Sequence, residues 1–413
     1  MRTSRAVEVP HACVPISAAL GLIIALWPGS LPRSTGSSAA VVAGCVGIAT
    51  IAARLSTCRR TADSSPRRRL IPAVATLAAA STVSANVAWQ NTIRTDLGVA
   101  SIGVTYWWMM LGTAVATFAI SVWTSRRAVV IASLLTAVVA GSIAPPAQAE
   151  AATHTDHPPT DTDTAAAAIT RQWVRSGGLD GAAVVIAVPT GSGWVDPQAI
   201  AEIQDRFGGS QIRPTGQLLP ARRIPPGGRH TGVAILTLPY ADASSWRVFL
   251  TDPDAAARSA IALLRHVLDA RDRRPGGARL PRVYLYGQSL GALGADRARA
   301  WAERTHPGAV SATMLAGVPA DSVDTGRSSS PRTIVANDSD PVTRWSVRSL
   351  WHRPTPPDGT RRVGRPVHRP PWLPVASFIQ ASADLLASLD GPVGTGHRYG
   401  REQIQAIGPR AAS

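Results

Sequence analysis

The N-terminal part of the chain consists of apolar stretches separated by short segments that carry arginine. Each stretch has about 16–22 residues, close to the roughly 20 that a helix needs to cross a membrane. We therefore predict about five membrane-spanning helices, at Ala12–Pro28, Ser38–Ala53, Leu70–Ala88, Ile102–Trp123 and Ala128–Ile143. A count of four is the alternative, because the first two stretches are short and rich in alanine and glycine. A buried bundle in a soluble protein would need more polar helix faces than these stretches have.

Arginine is distributed unevenly between the predicted spans. The loops after the first and third spans carry only Arg33 and Arg94. The N-terminus and the loops after the second and fourth spans are richer, with Arg2, Arg5, Arg59, Arg60, Arg67, Arg68, Arg69, Arg126 and Arg127. Because arginine-rich loops stay in the cytoplasm, five spans place the N-terminus inside and the chain beyond residue 150 outside.

The residues after the last predicted span are small and polar. Ala147-Gln148-Ala149 has the form of a signal-peptidase site, although a linker of small residues is the simpler interpretation. Alternating threonine and aspartate follow, and polar segments of this kind are flexible tethers. We predict a multi-span transmembrane domain at residues 1–147, a flexible polar linker at 148–170 and a folded domain at 171–413.

The third region alternates short apolar runs with helical patterns. The runs are Ala182–Val188, Val233–Leu238, Val283–Tyr286, Val310–Leu315 and Thr333–Ala336, and they are flanked by glycine or proline. Such runs are typical of strands buried on both faces of a parallel sheet. Helices are expected to start at Asp196-Pro197 and Asp252-Pro253 and to span Leu290–Arg304 and Pro374–Leu389. This order predicts a doubly wound, mostly parallel α/β domain.

Composition narrows the chemistry that the chain can carry. The 413 residues have a net charge of +16, but the arginines are scattered, so no nucleic-acid partner is expected. Cys13, Cys45 and Cys58 all precede the folded domain, which therefore has no disulfide or thiolate metal site. His154 and His157 lie in the predicted linker, and we expect no metal and no cofactor. The lipid bilayer is the expected partner of residues 1–147.

The main chemical signal is a G-x-S-x-G motif, Gly287-Gln288-Ser289-Leu290-Gly291. It follows the apolar run Val283–Tyr286 and precedes an alanine-rich helical segment. A serine on such a strand–turn–helix is a nucleophile elbow, and glycine is needed there because the turn is sharp. At a helix N-terminus the backbone N–H groups favour negative charge, so Ser289 is the predicted nucleophile. The alternative is a structural glycine-rich turn.

A serine nucleophile needs a histidine base and a carboxylate that orients it, in the chain order serine, acid, histidine. The downstream histidines are His306, His352, His368 and His397. We choose His397, because it lies in a glycine-rich loop near the end of the domain. His306 precedes the candidate acids, and the other two lie in a stretch rich in arginine and proline. The acid should follow a late strand, which indicates Asp340, with Asp338 as the alternative.

An oxyanion hole should combine two backbone N–H groups. One comes from the residue after the nucleophile, which is Leu290, and the other from an early strand–helix loop. Pro189–Pro197 is a loop of this kind, and its glycines let backbone N–H groups approach a ligand closely. We predict Gly191 or Ser192 as the second donor, with an ordinary glycine-rich turn as the alternative.

At these residues the chain resembles the actinobacterial membrane-anchored α/β-hydrolases, which have an N-terminal multi-span domain. The similar segments are Leu26–Arg33, Trp89–Asn91, Pro189–Pro197, Tyr286–Gly294, Val335–Trp345, Arg369–Pro374 and Gly396–Gly400. The resemblance implies a serine-hydrolase fold and a location in the membrane. Gln288 is a departure, because the family is expected to have glutamate there. That departure and the long insertion Arg353–Pro371 leave the predicted triad untouched.

The sequence therefore predicts a membrane-anchored serine hydrolase of the esterase or lipase type. It would cleave an acyl ester through an acyl-enzyme on Ser289, with a lipidic substrate concentrated at the membrane. Acyl transfer to another alcohol is the closest alternative, because the same acyl-enzyme serves both reactions. A non-catalytic membrane-anchored binding or scaffold protein is the alternative from another class. The presence of Ser289, Asp340 and His397 together argues against it.

Overall fold

The computed structural model divides the chain into two compact units. It describes residues 13–57, 70–123, 161–207, 232–241, 243, 245–275, 279–323 and 330–405. One unit, called the helical unit here, comprises residues up to 148 together with 347–353 and 367–390. The other, called the sheet unit, comprises residues 149–346, 354–366 and 391–413.

The helical unit begins with four helices. They are α1 (Cys13–Ala25), α2 (Thr35–Thr57), α3 (Leu70–Leu97) and α4 (Val104–Trp123). Their shared core contains Leu22, Val46, Val83 and Met110, each at most 2% exposed. Since these residues come from all four helices, the apolar packing joins them into one bundle.

Two helices among the described residues are long and apolar enough to cross a membrane. One is Thr35–Ser56, which makes up most of α2, and the other is α4. Helix α1 has 13 residues and is about 20 Å long, less than the roughly 30 Å of a hydrocarbon core. Helix α3 has 28 residues and continues past Ala88, where the predicted span ended. The predicted fifth span, Ala128–Ile143, and the linker histidines lie outside the described residues.

The sheet unit is built on six parallel strands in the order β2-β1-β3-β4-β5-β6. They are β1 (Ala183–Val188), β2 (Val233–Leu236), β3 (Arg282–Gln288), β4 (Val310–Ala316), β5 (Arg332–Asn337) and β6 (Arg361–Val363). All residues of β1 and β2 are buried. The five predicted apolar runs coincide with the first five strands, because a strand covered on both faces needs apolar residues at successive positions.

Helices flank both faces of this sheet, as the doubly wound arrangement requires. They are α5 (Thr162–Arg175), α6 (Pro197–Arg206), α7 (Ser245–Thr251), α8 (Ala255–Asp272) and α9 (Leu290–Thr305). Val184 and Ile186 face a core shared with α5, α8 and α9. Val185 and Ala187 face a second core, shared with α6. The predicted α/β fold class is therefore confirmed.

The start of α6 is confirmed and that of α8 is corrected. The Asp196 carboxylate accepts a hydrogen bond from Gln198 N–H at 2.8 Å, with proline at the first helical position. Helix α8 begins at Ala255, after Asp254, rather than directly after Asp252. Asp252 instead accepts the Ala255 N–H on its backbone carbonyl and forms an ion pair with Arg258.

Among the described residues, helices α5 and α7 and strand β6 occur where the sequence predicted no element. Helix α5 occupies part of the predicted linker, and its buried residues Ala166, Thr170 and Trp173 recur at helical spacing. Strand β6 lies inside the predicted surface insertion and pairs with Val335, Ala336 and Asn337 of β5. Its residues are two arginines and a valine, so its edge position depends on backbone pairing rather than on an apolar run.

A late segment of the chain belongs to the helical unit, which corrects the predicted boundary at residue 171. Helix α10 (Ala376–Leu385) lies within it. The Arg33 guanidinium and the Asp384 carboxylate form a buried ion pair at 2.7 Å, with side chains 6% and 0% exposed. Ser30 N–H also donates to Asp384, at 2.6 Å. These contacts join α10 to the loop between α1 and α2.

Candidate functional site

The predicted nucleophile sits in an unusual backbone conformation. Ser289 lies between the end of β3 and the start of α9, with φ 56° and ψ −125°. A non-glycine residue in such a region costs on the order of 1–3 kcal/mol and persists only where its surroundings impose it. The Ser289 N–H donates to the carbonyl of Ala316 at 3.0 Å, which fixes the turn against β4. The serine is half-buried at the N-terminus of α9.

The sharp turn requires the two glycines of the motif. A Cβ atom on Gly287 would lie 2.2 Å from the carbonyl oxygen of Gly291. A Cβ atom on Gly291 would lie 2.3 Å from the carbonyl oxygen of Val188 on β1. Both distances are far below van der Waals contact, so the elbow and its approach to the neighbouring strand depend on glycine.

The structure brings His397 and Asp340 together. Asp340 follows β5 and is fully buried, and its Oδ2 lies 2.8 Å from Nδ1 of His397. His397 is 7% exposed, and its Nε2 atom has no hydrogen-bond partner among the described residues. An ionised carboxylate only accepts hydrogen bonds, so it places the imidazole proton on Nδ1 and leaves Nε2 as a proton acceptor.

Contacts on both sides of the elbow place His397 beside it. The side-chain Nε2 of Gln288, the residue before Ser289, donates to the backbone carbonyl of His397 at 3.0 Å. Gly317 follows Ala316, the partner of Ser289, and a Cβ atom there would lie 2.5 Å from Cε1 of His397. The histidine therefore contacts a neighbour of Ser289 on β3 and a neighbour of its hydrogen-bond partner on β4.

The other acid and histidine candidates have different surroundings. The Asp338 carboxylate faces Arg362 of β6 at 3.6 Å. His306 stacks on Trp301, with ring centroids 5.4 Å apart. His352 and His368 belong to the helical unit, where Nδ1 of His368 lies 2.8 Å from Asp96. Of the acids and histidines that the sequence analysis proposed for the triad, Asp340 and His397 are the two that lie within hydrogen-bond distance of each other.

Two further residues support the acid and were not predicted. The hydroxyl of Tyr399 donates to Oδ2 of Asp340 at 2.6 Å. The Asn337 amide donates to the carbonyls of Gly396 and Arg398, both at 3.0 Å, and so holds the backbone on each side of His397. The sequence features that could have indicated them are a tyrosine two residues after the histidine and an asparagine at the end of β5.

The residues that follow the loop of His397 are anchored by a buried chain of hydrogen-bonded polar side chains. The Tyr286 hydroxyl of β3 donates to Gln403 at 2.6 Å, and Gln403 donates to Asp196 at 2.9 Å. Burial raises the pKa of Asp196, against the opposing effect of the Gln403 hydrogen bond. The chain therefore ties the residues after His397 to both β3 and the start of α6.

One predicted oxyanion donor needs correction. The Gly191 N–H already donates to the hydroxyl of Ser245 at 3.1 Å, so it is engaged by a side chain of the protein itself. Ser192 is exposed, and its hydroxyl lies 3.3 Å from that of Thr190. Leu290 is the first residue of α9, where N–H groups lack helical partners. Of the two loop candidates, Ser192 is the one that we retain.

Comparison with known proteins supports the hydrolase reading of the site. The sequence model of a family described as the alpha/beta-hydrolase family matches residues 229–333 and 324–409. These ranges contain Ser289, Asp340 and His397. No curated protein and no solved structure matches the chain. The family match supports a hydrolase-type function for the sheet unit.

Proposed function

We propose that this protein is a membrane-anchored serine hydrolase that cleaves acyl esters. One observation carries the proposal: His397 is bonded through Nδ1 to a buried carboxylate, while its Nε2 remains open beside the elbow of Ser289. A hydroxyl at a strained turn, a base with a free acceptor nitrogen and an orienting acid are the parts that an acyl-enzyme mechanism needs.

The proposed reaction follows from these positions. The Ser289 hydroxyl attacks the ester carbonyl carbon, and Nε2 of His397 takes the hydroxyl proton. The tetrahedral oxyanion accepts hydrogen bonds from the Leu290 N–H and from the Pro189–Pro197 loop. When the bond to the alcohol breaks, His397 returns the proton to the leaving oxygen. Water, activated by the same histidine, then releases the acid and restores Ser289.

A fluorophosphonate probe tests this proposal without knowledge of the substrate. The full-length protein, purified in detergent, should be labelled on Ser289, because the serine displaces fluoride from phosphorus. Ser289→Ala should abolish labelling, and His397→Ala should slow it by several orders of magnitude, since the two residues act as a unit. Ser176→Ala, on the exposed end of α5, is the matched control and should keep the wild-type rate. Folded wild-type protein that stays unlabelled would sink the proposal.

The membrane part of the proposal rests on the outward faces of the apolar helices. Large apolar side chains of α2 and α4 point away from the bundle, with Ile48 63% and Trp123 83% exposed. The others are Leu55, Val104, Trp108, Met109, Val115 and Ile120. Inside the bundle, by contrast, polar side chains such as Asn86 are hydrogen-bonded. A lipid environment favours helices whose outward-facing side chains are apolar and whose buried polar side chains, like Asn86, are hydrogen-bonded.

Contacts within the helical unit also support the predicted orientation. The Asn86 amide of α3 reaches the carbonyl of Leu26, and Asn91 bonds Ile102, so the first and third loops share one end of the bundle. The carbonyl of Ile24, at this end, accepts a hydrogen bond from Gln380 of α10. The arginine-poor loops and the late segment 367–390 therefore lie on one side, which the sequence assigns to the outside of the cell.

The same contacts favour a further membrane crossing after α4. Helix α4 starts at this end of the bundle and runs away from it. The sheet unit continues directly from segment 367–390, and the residues joining them contain no apolar stretch of membrane-crossing length. We therefore propose one more crossing between Trp123 and Asp161. The predicted span Ala128–Ile143 is the apolar stretch in that interval.

A further inference from the structure

The hydroxyl of Tyr399 shares one carboxylate oxygen with the histidine. Oδ2 of Asp340 lies 2.6 Å from the tyrosine oxygen and 2.8 Å from Nδ1 of His397. Tyr399 is 1% exposed, and its hydroxyl oxygen also accepts the N–H of Asn337 at 3.2 Å. Because the backbone supplies that donor, the tyrosine proton is directed at the carboxylate rather than elsewhere.

Two donors on one oxygen oppose each other. Each hydrogen bond withdraws charge from the oxygen and weakens its attraction for the other donor. A carboxylate that accepts a hydrogen bond from a hydroxyl therefore attracts an imidazolium less strongly than a carboxylate without that hydrogen bond. The tyrosine therefore sets how strongly Asp340 stabilises the protonated form of the histidine.

We propose that Tyr399 is a positioning residue that weakens the interaction between Asp340 and His397. The histidine then loses its proton at a lower pH than it would without the tyrosine hydroxyl. This inference rests on the proposed serine-hydrolase function. The tyrosine hydroxyl bonds the carboxylate, while its ring lies edge-on to the ring of His397, with centroids 5.7 Å apart. It acts through the carboxylate.

The groups around the tyrosine are consistent with this role. Burial, followed by the charge of Asp340, raises the pKa of Tyr399 well above its ordinary value, so the hydroxyl keeps its proton. Arg362 of β6, whose partner is Asp338, lowers the pKa of Tyr399, and Tyr286 of β3 is buried in the same apolar core as Tyr399. None of them takes the place of the tyrosine on Oδ2 among the described hydrogen bonds.

The test is the rate of fluorophosphonate labelling of Ser289 as a function of pH in the full-length protein. Tyr399→Phe removes one hydroxyl, so Asp340 holds the imidazolium more strongly. The acidic limb of the rate profile should therefore move to higher pH. Replacement of Tyr399 by 3-fluorotyrosine, whose hydroxyl is a stronger acid and a stronger donor, should move the limb to lower pH.

Tyr286→Phe is the matched control. This tyrosine is also buried and also loses a hydroxyl bonded at 2.6 Å, but its partner is Gln403 rather than Asp340. It should reduce thermal stability and leave the acidic limb in place.

The outcomes separate this inference from the proposed function. If wild-type protein is not labelled, the proposed function fails and this inference falls with it. If wild-type protein is labelled and the limb of Tyr399→Phe stays where it was, the inference alone is overturned. If Tyr399→Phe does not fold, the fluorotyrosine variant decides: an unmoved limb contradicts the proposal, and a limb at lower pH supports it.

Discussion

At the residue scale, Asp340 is the best-connected group of the candidate site. Within the described residues its Oδ1 accepts the N–H of Val342 at 2.9 Å, and its Oδ2 faces His397 and Tyr399. A fully buried carboxylate without such donors would be strongly unfavourable. Asp338, two residues earlier, has the Arg362 guanidinium as its charge partner instead. The same loop thus carries two aspartates with different roles.

Two matched substitutions distinguish these aspartates. Asp340→Asn should lower the rate of labelling or ester turnover by roughly 10⁴-fold, because the amide no longer fixes the histidine tautomer. Asp338→Asn should change that rate by less than about threefold, since it removes one partly exposed ion pair. Measured rates on a simple aryl ester decide the assignment. A larger loss in Asp338→Asn would show that the acid has been assigned wrongly while the mechanism stands.

The sequence predicted the site residues that depend on local pattern. Ser289 follows from a motif between a strand and a helix, and Asp340 from its place after a late strand. The contact of Tyr399 with Asp340, 59 positions away, was missed because the triad pattern calls for a serine, an acid and a histidine but not for a tyrosine. Gly191 was chosen for its small size, but the side chain that engages its N–H, Ser245, comes from a helix outside the loop.

At the element scale, helix α10 shows why apolar pattern alone left the fold incomplete. The sequence indicated an amphipathic helix at Pro374–Leu389, and the structure has Ala376–Leu385. Its partner could not be read from the pattern, because the decisive contact is a single buried ion pair with Arg33, 351 positions away. Strand β6 was missed for a related reason, since backbone pairing with β5 and the ion pair of Arg362 with Asp338 leave no apolar pattern in the sequence.

The buried pair predicts a large and specific stability effect. Asp384→Asn leaves the Arg33 guanidinium without its counter-charge and should lower the free energy of unfolding by roughly 3 kcal/mol. Asp390→Asn, which is exposed in the same segment, should have little effect. The double variant Arg33→Met, Asp384→Leu should recover part of the loss, because apolar replacements need no counter-charge although the Ser30 N–H still loses its acceptor. Thermal unfolding of the full-length protein in detergent measures all three variants. Equal melting temperatures for Asp384→Asn and Asp390→Asn would contradict the prediction.

At the scale of the whole molecule, the chain alternates between its two units. It leaves the sheet unit after Ser346, returns to it for residues 354–366, and leaves again for 367–390 before the loop of His397. Both the acid and the histidine thus lie in the sheet unit, on either side of segments that complete the helical unit. A boundary drawn at one position in the sequence does not separate the two units.

The orientation of the chain in the membrane can be tested with reporter fusions. A reporter joined after Arg60 should be active as a cytoplasmic protein, because the arginine-rich second loop stays inside. A reporter joined after Thr164 should be active only outside, since five spans precede it. Fusions after Arg33 and Arg94 are the controls and should match Thr164. The same side for Arg60 and Thr164 would rule out the five-span arrangement.

The late position of α10 has a consequence for biogenesis. The helical unit begins to form when α1–α4 emerge, but its last helix is made about 250 residues later, on the order of ten to fifty seconds at ordinary rates of translation. During that interval Arg33, in the loop between α1 and α2, does not yet have Asp384 as its ion-pair partner. The loop of His397 follows within a dozen residues of α10. In the nascent chain Ser289 therefore emerges well before His397, so the proposed triad is completed only after α10 has been made.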